Sequence, residues 1–441
     1  MLNSKSILFL FILTPFILIL LSLNLYAQGK TNLTFDPDDP PETTIPIAPY
    51  LTFGAQLDLE YNFFGNIDPE NEIEKNLSIL EPGLTLAFSF DPTRHIQAFL
   101  ETSISRQITF TDGDKGEDNL KLEIEQGYLL FKELFDDRLS IQLGRQRFED
   151  EREWLYDEDL DAIRLIYDIS DISLELSASR LNIVDRDLLN SDEKERIYNY
   201  GFYANYETEH EEKEKILGAY AFLRDDRSQD NESPIFLGIQ GEGDLTENLE
   251  YWLDTAFVFG ESGDNDIRAF GFDIGSIYQF DLPFEPSVTL SYAFGSGDSN
   301  PEDGTDSNFR QSGLQSNEGS FNGAADFKYY GEIFDPELSN IHILSAGFGI
   351  NPTEQSSIDI VYHYYRQHRA ADFIRDSALN TDPNGTTKDI GNEFDLVLGY
   401  ERIRTPKLEA ALKLGYLLPG EAFASNSENI FLVKFEIQYE F

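Results

Sequence analysis

Val433-Lys434-Phe435-Glu436-Ile437-Gln438-Tyr439-Glu440-Phe441 sets apolar and polar side chains at alternate positions up to the last residue of the sequence. Successive side chains of a strand point to opposite faces, so this segment has one wholly apolar face and one carrying Lys434, Glu436, Gln438 and Glu440. Three ions on one face of a strand have no place in a dry sandwich core, whereas a wall between lipid and a wet lumen accepts them.

The same alternation recurs upstream. Pro286, Val288, Leu290, Tyr292 and Phe294 alternate with Ser287, Thr289, Ser291 and Ala293, and Phe394, Leu396, Leu398 and Tyr400 with Glu393, Asp395, Val397 and Gly399. Leu408, Ala410, Leu412, Leu414 and Tyr416 likewise alternate with Glu409, Ala411, Lys413 and Gly415. Period-two reading places strands near residues 50–64, 77–90, 95–109, 120–133, 139–148, 161–169, 172–181, 198–206, 215–224, 235–243, 250–260, 270–281, 286–295, 341–350, 358–368, 392–402, 407–417 and 430–441. From the third strand onward the connections mostly alternate short with long, from Asp281-Leu282-Pro283 and Asn351-Pro352-Thr353 to 296–340 and 369–391, as in barrels with short periplasmic turns and long external loops. The expected fold is an all-β, transmembrane, antiparallel up-and-down barrel of about 18 strands, a number that returns both chain ends to the periplasm. The acidic run Glu207 to Glu214 falls in a short connection and reads as a solvated turn, while 296–340, rich in Gly, Ser, Asn and Asp, either moves freely or folds into the lumen. A terminal aromatic closing an alternating strand suits the barrel-assembly machinery, which reads the last strand by edge pairing with pockets for alternate side chains, so Tyr439 and Phe441 are the candidate assembly signal.

The beginning of the sequence fits that destination. Lys5 precedes an apolar stretch from Ile7 to Leu21 and a small-residue exit at Leu25-Tyr26-Ala27-Gln28, the pattern of a secretory signal peptide cleaved after Ala27; an uncleaved anchor is the competing reading. The expected division is a signal peptide at 1–27, a short N-terminal periplasmic segment at 28–49 and the barrel at 50–441, in the outer membrane of a Gram-negative cell. The sequence contains no Cys, which excludes disulfides, thiolate metal sites and a lipoprotein. Hydrophobic residues make up only 41%, and no later apolar run has the length of a membrane helix. Tyr and Phe number 22 and 35 while Met occurs once, consistent with aromatic girdles on many short strands. The net charge of −48 argues against nucleic acid as a partner and fits solubilising loops, with cation-binding outer loops as the functional alternative.

Several stretches resemble the alginate-export family of eighteen-stranded outer-membrane channels. They are Leu143-Gly144-Arg145-Gln146-Arg147-Phe148 with Trp154, Asp157, Asp161 and Ala162-Ile163-Arg164-Leu165; Phe309-Arg310-Gln311-Ser312-Gly313-Leu314-Gln315 with Pro336-Glu337-Leu338-Ser339-Asn340 and Val361-Tyr362-His363; and Gly391-Asn392-Glu393-Phe394-Asp395 with Leu417-Leu418-Pro419-Gly420-Glu421-Ala422-Phe423. The resemblance implies a passive channel, not an enzyme, through which a linear anionic polysaccharide passes a constriction lined by arginines and a few acids, without cofactor or metal. Guanidiniums in a narrow, partly dehydrated passage attract carboxylates and present matching forks. The matching residues are Arg145, Arg147, Arg164 and Arg310, with Asp157 and Asp161 as acidic partners; the implied partners are outer-membrane lipid, the assembly machinery, the polysaccharide and periplasmic secretion components.

Strand phase sorts these residues. Arg164 alternates with Ile163 and Leu165 and should point inward, whereas Arg145 and Arg147 share the phase of Leu139, Ile141 and Leu143 and would face lipid unless Gly144 marks a bulge or the segment has already left the hydrocarbon band. Arg369 and Lys413 fall on the inward phase of their strands. The five His residues show no metal spacing beyond the loose pair His363 and His368, which have opposite phase, and no phosphate loop or nucleophile elbow is present. An uptake porin on the same scaffold is the competing function, because fold does not fix cargo.

Overall fold

The computed structural model describes residues 40–67, 76–190, 196–210, 213–228, 231–379, 381–402 and 406–441. The expected signal peptide, and the first part of the expected 28–49 segment, lie outside these residues. Among the described residues eighteen strands form one closed antiparallel barrel. They are β1 (Leu51–Gly65), β2 (Asn76–Thr93), β3 (Ile96–Thr111), β4 (Asp114–Glu133), β5 (Leu139–Glu149), β6 (Asp157–Ile169), β7 (Ile172–Arg180), β8 (Ile197–His210) and β9 (Lys213–Asp226). The second half comprises β10 (Glu232–Thr246), β11 (Leu249–Ser262), β12 (Asn265–Gln279), β13 (Ser287–Gly295), β14 (Ile341–Thr353), β15 (Ser356–Gln367), β16 (Asp389–Arg402), β17 (Lys407–Pro419) and β18 (Ile430–Glu440). Each strand pairs with its sequence neighbours, and β18 closes on β1 from Gln56↔Glu440 to Gly65↔Phe431. Closure removes every open edge, which is what allows strands to cross lipid.

The alternation read from sequence is the orientation observed. Leu290 and Phe394 are exposed on the outside, while Ser287, Thr289, Glu393 and Asp395 are buried inside. At the end that carries Leu51 and Glu440 the connections are short, such as Ser170-Asp171, Glu247-Asn248 and Glu354-Gln355; the opposite end carries 181–196, 296–340 and 368–388. Two expected outer loops are instead tight hairpins: Asp112 and Gly113, with φ of 49° and 93°, form the Asp-Gly turn that joins β3 to β4, and Gly263 at φ 58° opens the one joining β11 to β12. The strands there run on past the apolar stretch, so a reading keyed to apolar alternation stops too soon. The run Glu207 to Glu214 is also largely strand rather than turn, since β8 reaches His210 and β9 starts at Lys213.

The decisive difference from an open tube is the connection 296–340. It enters the barrel and packs there, burying Phe309, Phe327, Phe334 and Leu338 together with Trp154 and Leu155 of the β5–β6 connection. Its apolar residues are spaced irregularly because they face a cavity from a coil, which period-two reading does not detect. At the opposite end, Ile45–Ala48 pairs with the start of β1. Glu42 there contacts Lys407 at 2.8 Å and donates its N–H to Glu440 at 2.9 Å.

Candidate functional site: the plugged, arginine-lined lumen

The first arginines come from β5 and β6. Gly144 has φ 125°, and a Cβ there would lie 2.2 Å from the carbonyl oxygen of Gly127, so only glycine fits. The ladder to β6 keeps its register past this point, Leu143 opposite Ile163 and Arg145 opposite Asp161, while the pairing of β5 with β4 ends at Gly127↔Arg145 and the β7–β8 connection pairs with β4 beyond it. Arg145 keeps the phase of Leu143 and is covered by that connection, which leaves it 4% exposed. Its fork grips Asp161 at 3.0 and 3.1 Å, and it donates to the carbonyls of Ile124 at 2.9 Å and Val184 at 2.5 Å. Asp161 also accepts the N–H groups of Ile183 and Val184 at 2.7 and 3.0 Å. All of this anchors the β7–β8 connection to the wall.

Arg147 and Arg164 are less enclosed. Arg147 pairs with Asp157 and lies 3.8 Å from Glu149, while Arg164 contacts Glu175 at 2.6 Å. Arg164 donates to the Arg147 carbonyl at 3.3 Å and stands 4.8 Å from the Phe148 ring centroid. Their side chains keep 19% and 20% exposure.

Arg310 lies in the inserted connection, is 1% exposed, and pairs with Glu232 and Asp306. Arg369 does not line the lumen as expected: β15 ends at Gln367, and Arg369 sits exposed in the following connection, its N–H donating to Asn340 Oδ1 at 2.7 Å. Lys413 does point inward, contacting Glu318 and Glu436 at 3.1 Å and thereby joining the inserted connection to β17 and β18. Burial opposes the Glu318 charge, but Lys413 and Lys328 hold its carboxyl below the usual range.

Three further cations escape period-two reading because they lie in connections. Arg186 meets Glu125 at 2.6 Å and Glu158 at 3.0 Å, and Arg375 bridges Glu232 at 2.6 Å and Glu337 at 3.0 Å. Arg152 is sandwiched 4.1 Å from Trp252 and 4.0 Å from Tyr329, with Asp254 and Asp273 at 3.8 and 3.7 Å. Burial works against the Arg152 charge, yet Tyr329, Asp273 and Asp254 outweigh it and raise its pKa. The nearest sequence signal was the charged tetrapeptide Glu149-Asp150-Glu151-Arg152, which gives no face.

Beside this network lies a cavity of about 390 Å³ between the inserted connection and β10–β11, lined by eight described carboxylates, among them Glu151, Glu153, Glu242, Glu250 and Asp326, and by Arg152. Among the described residues no group of three or more His, Asp or Glu is placed to hold a metal ion.

A family model described as alginate export matches residues 50–430, nearly the whole barrel. The chain belongs to the alginate export family. Within that family it is similar to the alginate production protein AlgE of Pseudomonas aeruginosa, 25% identical over 65% of this chain and 67% of that protein. It is also similar to AlgE of Pseudomonas syringae pv. tomato, 22% identical over 64% and 68%. Among solved structures, Pseudomonas aeruginosa OpdK with vanillate superposes with a TM-score of 0.56 at 10% identity, covering 88% of this chain and 98% of that one, a likeness of fold alone. This family member is thus a channel-type barrel of the Gram-negative outer membrane.

Proposed function

We propose that this outer-membrane channel passes an anionic, uronate-type polysaccharide by passive transport selected by charge. The observation that carries the reading is the Arg147–Arg164 pair on neighbouring strands. Both guanidiniums are braced by carboxylates, Arg147 by Asp157 with Glu149 close by and Arg164 by Glu175, and both are still partly open to water. Bracing holds the forks in place and cancels much of their charge, so a passing carboxylate is attracted without being trapped. The relatives named for alginate production support an alginate-like cargo. Transport then requires the 296–340 connection to shift, since it occupies the lumen. The reading involves no chemical step and no cofactor. It treats residues 1–27 as a cleaved signal peptide and 28–49 as a periplasmic segment, with the assembly machinery and periplasmic secretion components as partners.

One observation favours a second reading. The acid-lined cavity suits cations or neutral sugars better than polyanions, as in an uptake porin. Reversal potentials across a salt gradient separate the two. The exporter reading expects anion preference, block by alginate, and a loss on the order of 1 to 3 kcal/mol of anion stabilisation in Arg164→Glu. Cation preference in the wild type, unchanged by the substitution, would leave the uptake porin.

A further inference from the structure

On the outer wall, at the end carrying the long connections, one row of side chains crosses three strands in direct register: Phe294 of β13 faces His342 of β14, which faces Arg366 of β15. The next row down is Tyr292, Leu344 and Tyr364, and below it come Leu290, Ala346 and Tyr362, on the face where Leu290 and Leu344 are exposed to lipid. The upper row therefore sits one step above the apolar band. Above it, His368 stacks edge-on against Phe294, with ring centroids 5.2 Å apart, and shares a 3.1 Å contact with His342, whose other ring nitrogen meets the Tyr292 hydroxyl at 2.7 Å. Lys388 is fixed here by donating to the His368 carbonyl at 2.7 Å.

The charge of this patch sets it apart. In a chain with 81 acidic and 33 basic residues, Arg145, Arg164 and Arg310 all have carboxylate partners. Arg366, Arg369 and Lys388 form no ion pair with any described carboxylate, although Asp389 stands opposite Arg366 in the β15–β16 ladder. Three cations, two imidazoles and an aromatic shelf lie above lipid-facing side chains, outside the lumen and away from any transported polymer.

We propose that this rim patch docks the phosphorylated headgroup of an outer-leaflet glycolipid of the lipid A class. Arg366 and Lys388 would meet a sugar phosphate, Phe294 and Tyr364 would carry the sugar face and the upper acyl carbons, and the aliphatic rows below would take the chains. A free phosphate would use the cations but not the apolar rows, so the lipid is the occupant that uses the whole patch.

Native mass spectrometry of the detergent-solubilised protein with added lipid A tests the proposal. The wild type should carry a lipid A adduct that disappears with fully dephosphorylated lipid A and survives millimolar inorganic phosphate. Arg366→Ala with Lys388→Ala should weaken the adduct roughly thirtyfold, at about fivefold per cation. Arg366→Lys should retain most of it, as should Arg94→Ala at the opposite rim. Equal binding by the double variant, equal binding of dephosphorylated lipid A, or displacement by inorganic phosphate alone would each overturn the lipid assignment. The dephosphorylated-lipid arm uses wild-type protein, so the proposal stays testable even if the double variant assembles poorly.

Discussion

Replacing Glu393 by alanine should release the inserted 296–340 connection from the barrel wall. Glu393 projects inward from β16 with 0% exposure, accepting the N–H of Ile333 on one carboxyl oxygen at 2.6 Å and that of Phe334 on the other at 3.1 Å. The Tyr365 hydroxyl adds a third bond at 3.0 Å. Either protonation state offers an oxygen to each N–H, so the anchoring survives titration. Truncation leaves two buried N–H groups without their acceptor, at about 1.5–3 kcal/mol each for a charged partner, or roughly 3–6 kcal/mol together. Water in the lumen can re-solvate them, so the lower end is the appropriate figure, and about 3 kcal/mol raises the displaced population on the order of a hundredfold. Glu393→Gln keeps one acceptor and should fall midway. Because the sequence has no Cys, a single Ser339→Cys reporter in the connection can be labelled with maleimide. Labelling should accelerate about a hundredfold in Glu393→Ala, with larger and noisier single-channel conductance. If labelling and conductance match the wild type while the barrel still migrates as a folded species, Glu393 does not hold the connection in place.

The same reporter should respond to pH. Burial pushes the Glu337 carboxyl from its ordinary 4.5 up to about 7, with the Arg375 guanidinium pulling the other way. A raised value means the inserted state binds the proton more tightly than a freed loop does, so insertion is favoured most below about 4.5 and weakens as pH rises through about 7. Labelling should climb over that window and lose its slope in Glu337→Gln; a flat wild-type profile would contradict the assignment. Gly144→Ala places a methyl 2.2 Å from the Gly127 carbonyl oxygen at a positive φ, and should cost at least about 1–3 kcal/mol, seen as a lower midpoint for thermal loss of the folded gel band. An unchanged midpoint would show that the course of β5 does not depend on glycine. Phe441 pairs with Ala55 through backbone bonds of 3.0 and 3.3 Å and its ring meets Tyr439 at 6.0 Å, so polar replacement of both aromatics should leave export to the periplasm intact and reduce membrane insertion, measured by fractionation. Wild-type insertion yield would remove the assembly role from these side chains.

The barrel was legible because its wall obeys a local rule. Lipid on one side and lumen on the other impose period two on every strand, and the number of alternating segments gave the number of strands. Arg164 was assigned inward by phase, and its guanidinium stands over the ring of Phe148, which is buried in the core. Arg145 and Arg147 were assigned to the outer phase unless Gly144 marked a bulge or the segment had left the hydrocarbon band; they keep the phase of Leu143 in an unbroken ladder, and sequence does not reveal that the β7–β8 connection folds over Arg145 there. Arg369 was misplaced because β15 ends two residues before it, where apolar alternation gives no stop signal.

By itself, then, the sequence determined the architecture, the facing of most wall residues and the family to which the chain is similar, since each follows from short-range pattern. Only the tertiary structure decided what fills the lumen. The inserted connection is held by partners far away in the chain, Glu393 for Ile333 and Lys413 for Glu318, and the acids that brace each arginine come from different strands and loops. A buried charge is stable only where a partner closes around it, and which partner arrives depends on the closure of the whole barrel.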